Sequence, residues 1–331
     1  MEIKATDVAK LRKMTGAGMM DCKKALVEAN GDFERAKEII REKGKLVAAK
    51  RSDRETTEGA VIAITNSDHT KAVLVCLGCE TDFVAKNSEF KALADDIAAT
   101  ALANMPADLD ALKACKLSDG NTVEEGITLQ TGKSGEKHAV PFYGKIEAPY
   151  IGSYIHMNNK VATIVGFSKP IDEHAGKEIA MQITAMNPVS ITKDDCPKSV
   201  VEKELEIAIE KTKEEQVQKA VEAALKKAGF NLYIAENEEH INEGIMKGNI
   251  TEAQAQEIRD LKAKVSAEKA ANLPEQMIQN IAQGRLAKFF KESTLEEQIF
   301  VKDGKISVKE YLKGIDPEVK VVAFKRFSLN D

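Results

Sequence analysis

The sequence has no tryptophan, and aromatic residues make up only 5% of its 331 positions, so any core it builds must be largely aliphatic. With Ala, Lys and Glu abundant, that shortage points to a helix-rich protein. No apolar run approaches the roughly 20 residues that a membrane span needs. The opening Met1-Glu-Ile-Lys-Ala5 leads straight into an amphipathic pattern and lacks the apolar stretch of a secretory signal, so a cytoplasmic location is expected. The five cysteines are an odd number and form no disulfide framework. Cys76 and Cys79 make a lone C-x-x-C, without the second pair or nearby histidine that a tetrahedral zinc site wants, and read as strand cysteines. The five histidines (His69, His138, His156, His174, His240) share no metal-ligand spacing. There is no serine elbow and no His-Glu-x-x-His pair. No enzyme, metal or cofactor is therefore expected. Gly132-Lys-Ser134 invites a phosphate-loop reading, but the pattern needs glycine at 127, where Ile127 stands. It reads as a hairpin turn. The net charge of -5 argues against a nucleic-acid binder. Residues 1–51 run the other way, with 13 Lys and Arg against 8 Asp and Glu; a modest basic head of this kind suits RNA, though it lacks interleaved aromatics, and equally an acidic protein surface.

Several patterned regions are present. Residues 1–46 read as three short helices: Val8, Leu11 and Met14 recur at threes after Thr6 or Asp7, Gly16 and Gly18 break the pattern, and Phe33, Ala36, Ile39 and Ile40 form a face that Gly44 is expected to stop. Met19 and Met20 follow the Gly-x-Gly turn, where both side chains cannot easily face inward, so one of them is expected at the surface. Residues 47–57 carry alternating charge without apolar period, a linker.

The middle of the chain holds an internal repeat. Gly59-Ala-Val-Ile-Ala-Ile64 and Lys71-Ala-Val-Leu-Val75 correspond to Gly152-Ser-Tyr-Ile-His-Met157 and Lys160-Val-Ala-Thr-Ile-Val165. The helical runs that follow end alike, at Pro106 and at Pro188. Each copy is hairpin, corner, helix. The fold class is thus α+β, with two small lobes of antiparallel sheet: residues 58–145, and 146–199 completed by a return segment at 273–331. Within that return, residues 295–303 and 319–327 read as strands. Between lie residues 200–272, long amphipathic helices with a phase slip near Gln216, a capping box at Thr251-Glu-Ala-Gln254 and a strand-like Leu232-Tyr-Ile-Ala235. They read as an antiparallel coiled-coil arm, a candidate for self-association.

The two copies diverge at their corners. The first is Thr81-Asp-Phe-Val-Ala-Lys-Asn87, the second Gly166-Phe-Ser-Lys-Pro-Ile171. Two readings of the first stand side by side. Asp82 caps a turn while Phe83 folds into the core, or Phe83 is a wedge presented beside a carboxylate.

The first corner, together with Thr15-Gly-Ala-Gly-Met-Met-Asp-Cys-Lys-Lys-Ala-Leu26, resembles the bacterial elongation factor Ts family from residue 2 to Phe327, apart from a longer arm. The resemblance implies a ubiquitin-associated-like three-helix head, two core lobes, and a guanine-nucleotide exchange factor that binds elongation factor Tu and touches neither nucleic acid nor membrane. It implies no chemical catalysis. By the match, Leu11, Met19 and Met20 dock on a helix of the partner's GTPase domain. Phe83 enters beside the partner's magnesium site supported by Asp82, with Thr81, Val84 and Asn87 in the same corner, and His156 is a weaker contact. Some members continue into a further helical module where this sequence stops at Asp331. The competing function is a non-catalytic scaffold that binds helical partners through the head alone, which leaves the repeated lobes without a role.

Overall fold

The computed structural model describes residues 3–156 and 159–329, and the chain divides into two units, Met1–Ile191 with Ile299–Asp331, and Thr192–Gln298. The first unit opens with α1 (Ala5–Thr15), α2 (Met19–Glu28) and α3 (Phe33–Lys50). Lys4, rather than Thr6 or Asp7, precedes the first helix. Gly16 ends it in the left-handed region at φ 66°, a conformation that glycine adopts without steric cost. Asp32 starts α3 by accepting from the amides of Glu34 (2.8 Å) and Arg35 (3.1 Å). Val8, Leu11, Cys22, Ala25, Leu26, Ala36 and Ile40 close the small core of this head.

Gly44 does not stop α3. It lies where a later helix, α7 (Val123–Ser134), passes closest: a Cβ on Gly132 would sit 2.9 Å from Gly44 Cα, and one on Gly44 would sit 3.0 Å from the Thr128 carbonyl oxygen. A glycine that reads as a terminator is a packing glycine. Arg41 flanks the crossing, 3.1 Å from Asn121 and 3.3 Å from Glu125. The boundary expected at residue 46 therefore falls inside a helix that rests on the next lobe, and only residues 51–57 are free of helix and strand.

That lobe runs β1 (Glu58–Thr65), β2 (Lys71–Cys79), α4 (Asp82–Ala85), α5 (Ser88–Asn104), α6 (Leu109–Ala114), α7 and β3 (Ala139–Glu147). Its antiparallel sheet has the order β1-β2-β3. The central strand is buried on both faces, and its period of two sorts the residues. Val73, Val75, Leu77 and Cys79 face Phe90, Ala94, Ile97 and Ala101 of α5, while Ala72, Leu74 and Cys76 face the other way. The hairpin turn expected at Gly132-Lys-Ser134 is the last turn of α7. A capping box between Thr122 and Glu125 starts that helix, and Gly135 at φ 73° ends it.

The second copy of the plan is β4 (Tyr150–Ile155), β5 (Val161–Phe167) and α8 (Glu173–Met186). Both repeat helices end on a left-handed residue followed by proline, Met105 at φ 45° and Asn187 at φ 42°.

The second unit holds α9 (Lys198–Lys227), α10 (Leu232–Ala235), α11 (Glu238–Met246), α12 (Glu252–Ala271) and α13 (Glu275–Ser293). The phase slip along α9 has a cause. Its stretch as far as Glu215 meets α13, where Ile207 and Ala208 face Leu286 and Phe289 and Arg285 pairs with Glu215 at 2.6 Å. Its second half meets α12, with Val221 and Leu225 against Ala255 and Ile258. The segment from 273 packs on α9 before the chain returns at Ile299, and Leu232–Ala235 is a helical turn started by the Asn231 side chain, not a strand.

Back in the first unit, residues 299–303 form no strand. A single bridge joins Ile299 to Ser307, because the turn at Gly304 (φ 73°) folds the chain back at once. α14 (Val308–Ile315) and β6 (Val321–Ser328) follow, and β6 completes the order β4-β5-β6. Glu178 anchors the return by accepting from Lys302 Nζ (2.7 Å) and the Tyr311 hydroxyl. The two sheets pack face to face through Val61, Leu74, Cys76, Ile146, Ile151 and Ile164, with Phe142 stacked on Phe327 at 4.7 Å. Each fully buried Leu or Ile here contributes about 1.5–3 kcal/mol.

Candidate partner interface

Strand β2 is pinned between helix and sheet, so its end delivers residues 80–87 to a fixed point on the surface. There the chain makes one four-residue helix, α4, and turns into α5, whose first amide partner is the Asn87 side chain (Glu89 N–H donates, 2.8 Å). The short helix is amphipathic. Val84 and Ala85 pack against the lobe core, whereas Asp82 points outward and Phe83 is 83% exposed. The reading in which Phe83 folds into the core is thereby excluded. Asp82 accepts from Lys86 Nζ at 2.6 Å, and that ammonium holds its carboxyl below the usual range.

The β4–β5 end lies beside this corner. Asn159 and Lys160 line a cleft of about 570 Å³ with Asp82, Ala85, Lys86, Lys91 and Gly59, and Lys160 bonds Glu58 across it at 3.0 Å. His156, at the end of β4, is exposed, with Nδ1 3.2 Å from the Tyr154 hydroxyl. Its backbone N–H donates to Val161 O (2.8 Å), so it belongs to the same hairpin end as Lys160.

On the other side of α5 lies the head. Met19 and Met20 are both exposed, at 57% and 63%, where only one was expected outside. Each sits in the first turn of α2, beyond the reach of the small core. Met19 and Met14 line a cleft with Arg12, Lys13, Glu89, Ala92 and Lys133. Leu11 is different: it is wholly buried in the head core and presents no side chain to a partner. Its period-three spacing with Val8 was a core signal, and Leu11 leaves the contact set.

Cys22, Cys76 and Cys79 pack in the cores, and Cys115 is half-buried. Cys76 and Cys79 point to opposite faces of β2, and burial pushes both thiols up to about 12, far from thiolate chemistry. No cluster of three or more metal-ligating side chains occurs among the described residues. Among them, too, no helix is long and apolar enough to cross a membrane.

Residues that the sequence did not mark also converge here. Glu80 takes the Lys137 amide at 2.6 Å and the Arg51 guanidinium on both oxygens (2.8 and 2.9 Å), and these donors, the amide foremost, hold its carboxyl low. Glu136 reaches Thr81. Only distance in space links these positions, so no spacing in the sequence could have found them.

An exposed aromatic on a braced corner, flanked by charged clefts, suits contact with another protein. The family model described as "Elongation factor TS" matches residues 80–331. Proteins named elongation factor Ts are 51% identical in Bacteroides thetaiotaomicron and 52% in Parabacteroides distasonis, each over 330 residues and 99% of both chains. The one from Porphyromonas gingivalis is 40% identical over 330 residues. The class is thus a translation elongation factor, at work in protein biosynthesis. Within that class, the chain belongs to the elongation factor Ts family.

Proposed function

We propose that the protein is the guanine-nucleotide exchange factor of elongation factor Tu in the bacterial cytoplasm, and that it acts by binding alone, with no bond made or broken. Family membership supports the partner. The observation that carries the mechanism is the exposed Phe83, an apolar side chain held out in water at a rigid turn, whose burial can occur only in a complex. A factor that binds the nucleotide-free partner better than the GDP-bound form must, by linkage, weaken GDP binding by the same ratio. Phe83 supplies the wedge that favours the nucleotide-free form, entering beside the partner's magnesium and phosphate site with Asp82, Thr81, Val84 and Asn87 shaping the approach. Met19 and Met20 of the head form a second contact, and His156 a weaker third. The test is the release of labelled GDP from purified elongation factor Tu, with and without substoichiometric amounts of this chain. Accelerated release is expected; an unchanged rate refutes the proposal.

A further inference from the structure

We infer that Glu136 is a positioning residue for the Phe83 corner: it holds Thr81 so that the four-residue helix carrying Phe83 is already formed before the partner arrives. This rests on the exchange reading for its purpose but not for its structural content. A helix of four residues closes too few hydrogen bonds to offset its own nucleation. Its internal support is slight, Ala85 N–H to Thr81 O at 3.2 Å and Lys86 N–H to Asp82 O at 3.0 Å. Thr81 stands at the N-cap, where a threonine hydroxyl ordinarily accepts from the first turn, yet it makes no such bond. Its hydroxyl instead donates to Glu136 Oε1 (2.7 Å) and its backbone N–H donates to Glu136 Oε2 (3.1 Å), so both carboxylate oxygens are committed to this one residue. The third handle of Thr81, its carbonyl, accepts from the Cys79 thiol at 3.2 Å. The local cap has been given up for a clamp from outside.

The clamp is itself anchored. Glu136 follows the left-handed Gly135 that ends α7, and its carbonyl lies 3.0 Å from Nδ1 of the buried His138. The neighbouring Lys137 reaches back to the carbonyls of Ser52 and Arg54 at 2.7 Å each, and its amide meets Glu80, which Arg51 also holds. The segment after α3, the corner and the segment after α7 are thus laced together through the adjacent Glu136 and Lys137. Phe83 stays in water while all of this is satisfied, which is the arrangement expected if the ordering cost is met before binding.

The experiment uses the full chain and two readouts. Amide hydrogen exchange on the isolated Glu136→Ala protein should be about tenfold or more faster at Ala85 and Lys86, with the α5 amides at Ile97 and Ala98 unchanged. GDP release from elongation factor Tu should show a half-saturating concentration raised about five- to tenfold at a maximal rate within twofold of the parent, because only the competent fraction of the corner binds. Thr81→Val should raise that concentration in the parent and add nothing in Glu136→Ala. Unchanged exchange at Ala85 and Lys86 overturns the inference, as does loss of protection throughout the lobe, or a fall in maximal rate alone. If the parent itself fails to release GDP, the exchange reading falls while the hydrogen-exchange comparison still decides the clamp.

Discussion

The two repeat corners share a plan and differ in where they put a phenylalanine. In the second, Phe167 ends β5 wholly buried beside Tyr150, ring centroids 6.3 Å apart, and the chain proceeds through Pro170 to Asp172, which caps α8 by accepting from Ala175 N–H at 3.2 Å. That corner is stitched inward: Ser168 and Lys320 exchange bonds at 2.9 and 3.0 Å, and Lys169 pairs with Asp316 and Glu318. In the first, Phe83 faces water on a turn held by Glu136 and Lys86. The second copy keeps its phenylalanine in the sheet, where Phe167 pairs with Tyr150 and Val321. The exposure of Phe83 has no counterpart there, and this is the difference that the proposed contact with a partner would explain.

The largest expected effect is on the buried side of the comparison. Phe167→Ala should cost about 3–5 kcal/mol of stability in chemical denaturation, since the cavity opens in a packed core. Phe83→Ala should cost within about 0.5 kcal/mol, as surface changes do. Similar losses at both positions would erase the distinction. Next in size is the crossing that seats the head beside the first corner. Gly132→Ala places a Cβ 2.9 Å from Gly44 Cα; the overpacking, about 1–3 kcal/mol, should outweigh the roughly 1 kcal/mol gained in helix propensity, and the melting temperature should fall. A rise would mean that the two helices part freely.

A pH series probes the packing beneath the first corner. Burial drives the His138 pKa down, and its Nε2 has no hydrogen-bond partner among the described residues. The folded protein thus keeps this ring neutral where the unfolded chain takes up a proton. Stability should be level above the unfolded pKa of about 6.5 and decline as pH falls below it, by at most about 1.4 kcal/mol per pH unit from this group. Denaturation at pH 5.5 and 7.5 should show that decline, and His138→Gln should reduce it; an undiminished slope in the variant would assign it to other groups. The smallest effect is at Asp82. Asp82→Ala removes an exposed i,i+4 pair and should change stability by less than about 0.5 kcal/mol. It should slow GDP release less than Phe83→Ala, and the reverse order would move the wedge from the ring to the carboxylate.

Much of this was legible in the sequence because it rested on local periodicity. The period-two runs of β1, β2, β4 and β5, the Thr251 capping box and the prolines after both repeat helices all appear where the residues place them. Misreadings came where the deciding neighbour is distant. Gly44 looks like a stop until Gly132 is brought against it, and Leu232–Ala235 looks like a strand until the Asn231 side chain starts a helical turn there. Residues 299–303 are apolar enough for an edge strand but turn back at Gly304. At the corner, sequence marked Thr81, Asp82 and Phe83 but could not choose between core and surface for the ring. Glu136 lay beyond its reach, 55 positions along the chain from the threonine that it holds.

The most direct test of the account compares the parent and Phe83→Ala in the release of labelled GDP from elongation factor Tu, each protein melted in parallel. The account predicts an unchanged melting temperature with release slowed about tenfold or more, because the lost burial exists only in the complex. A Phe83→Ala protein that melts early yet exchanges GDP at the parental rate would contradict it and return this corner to ordinary packing.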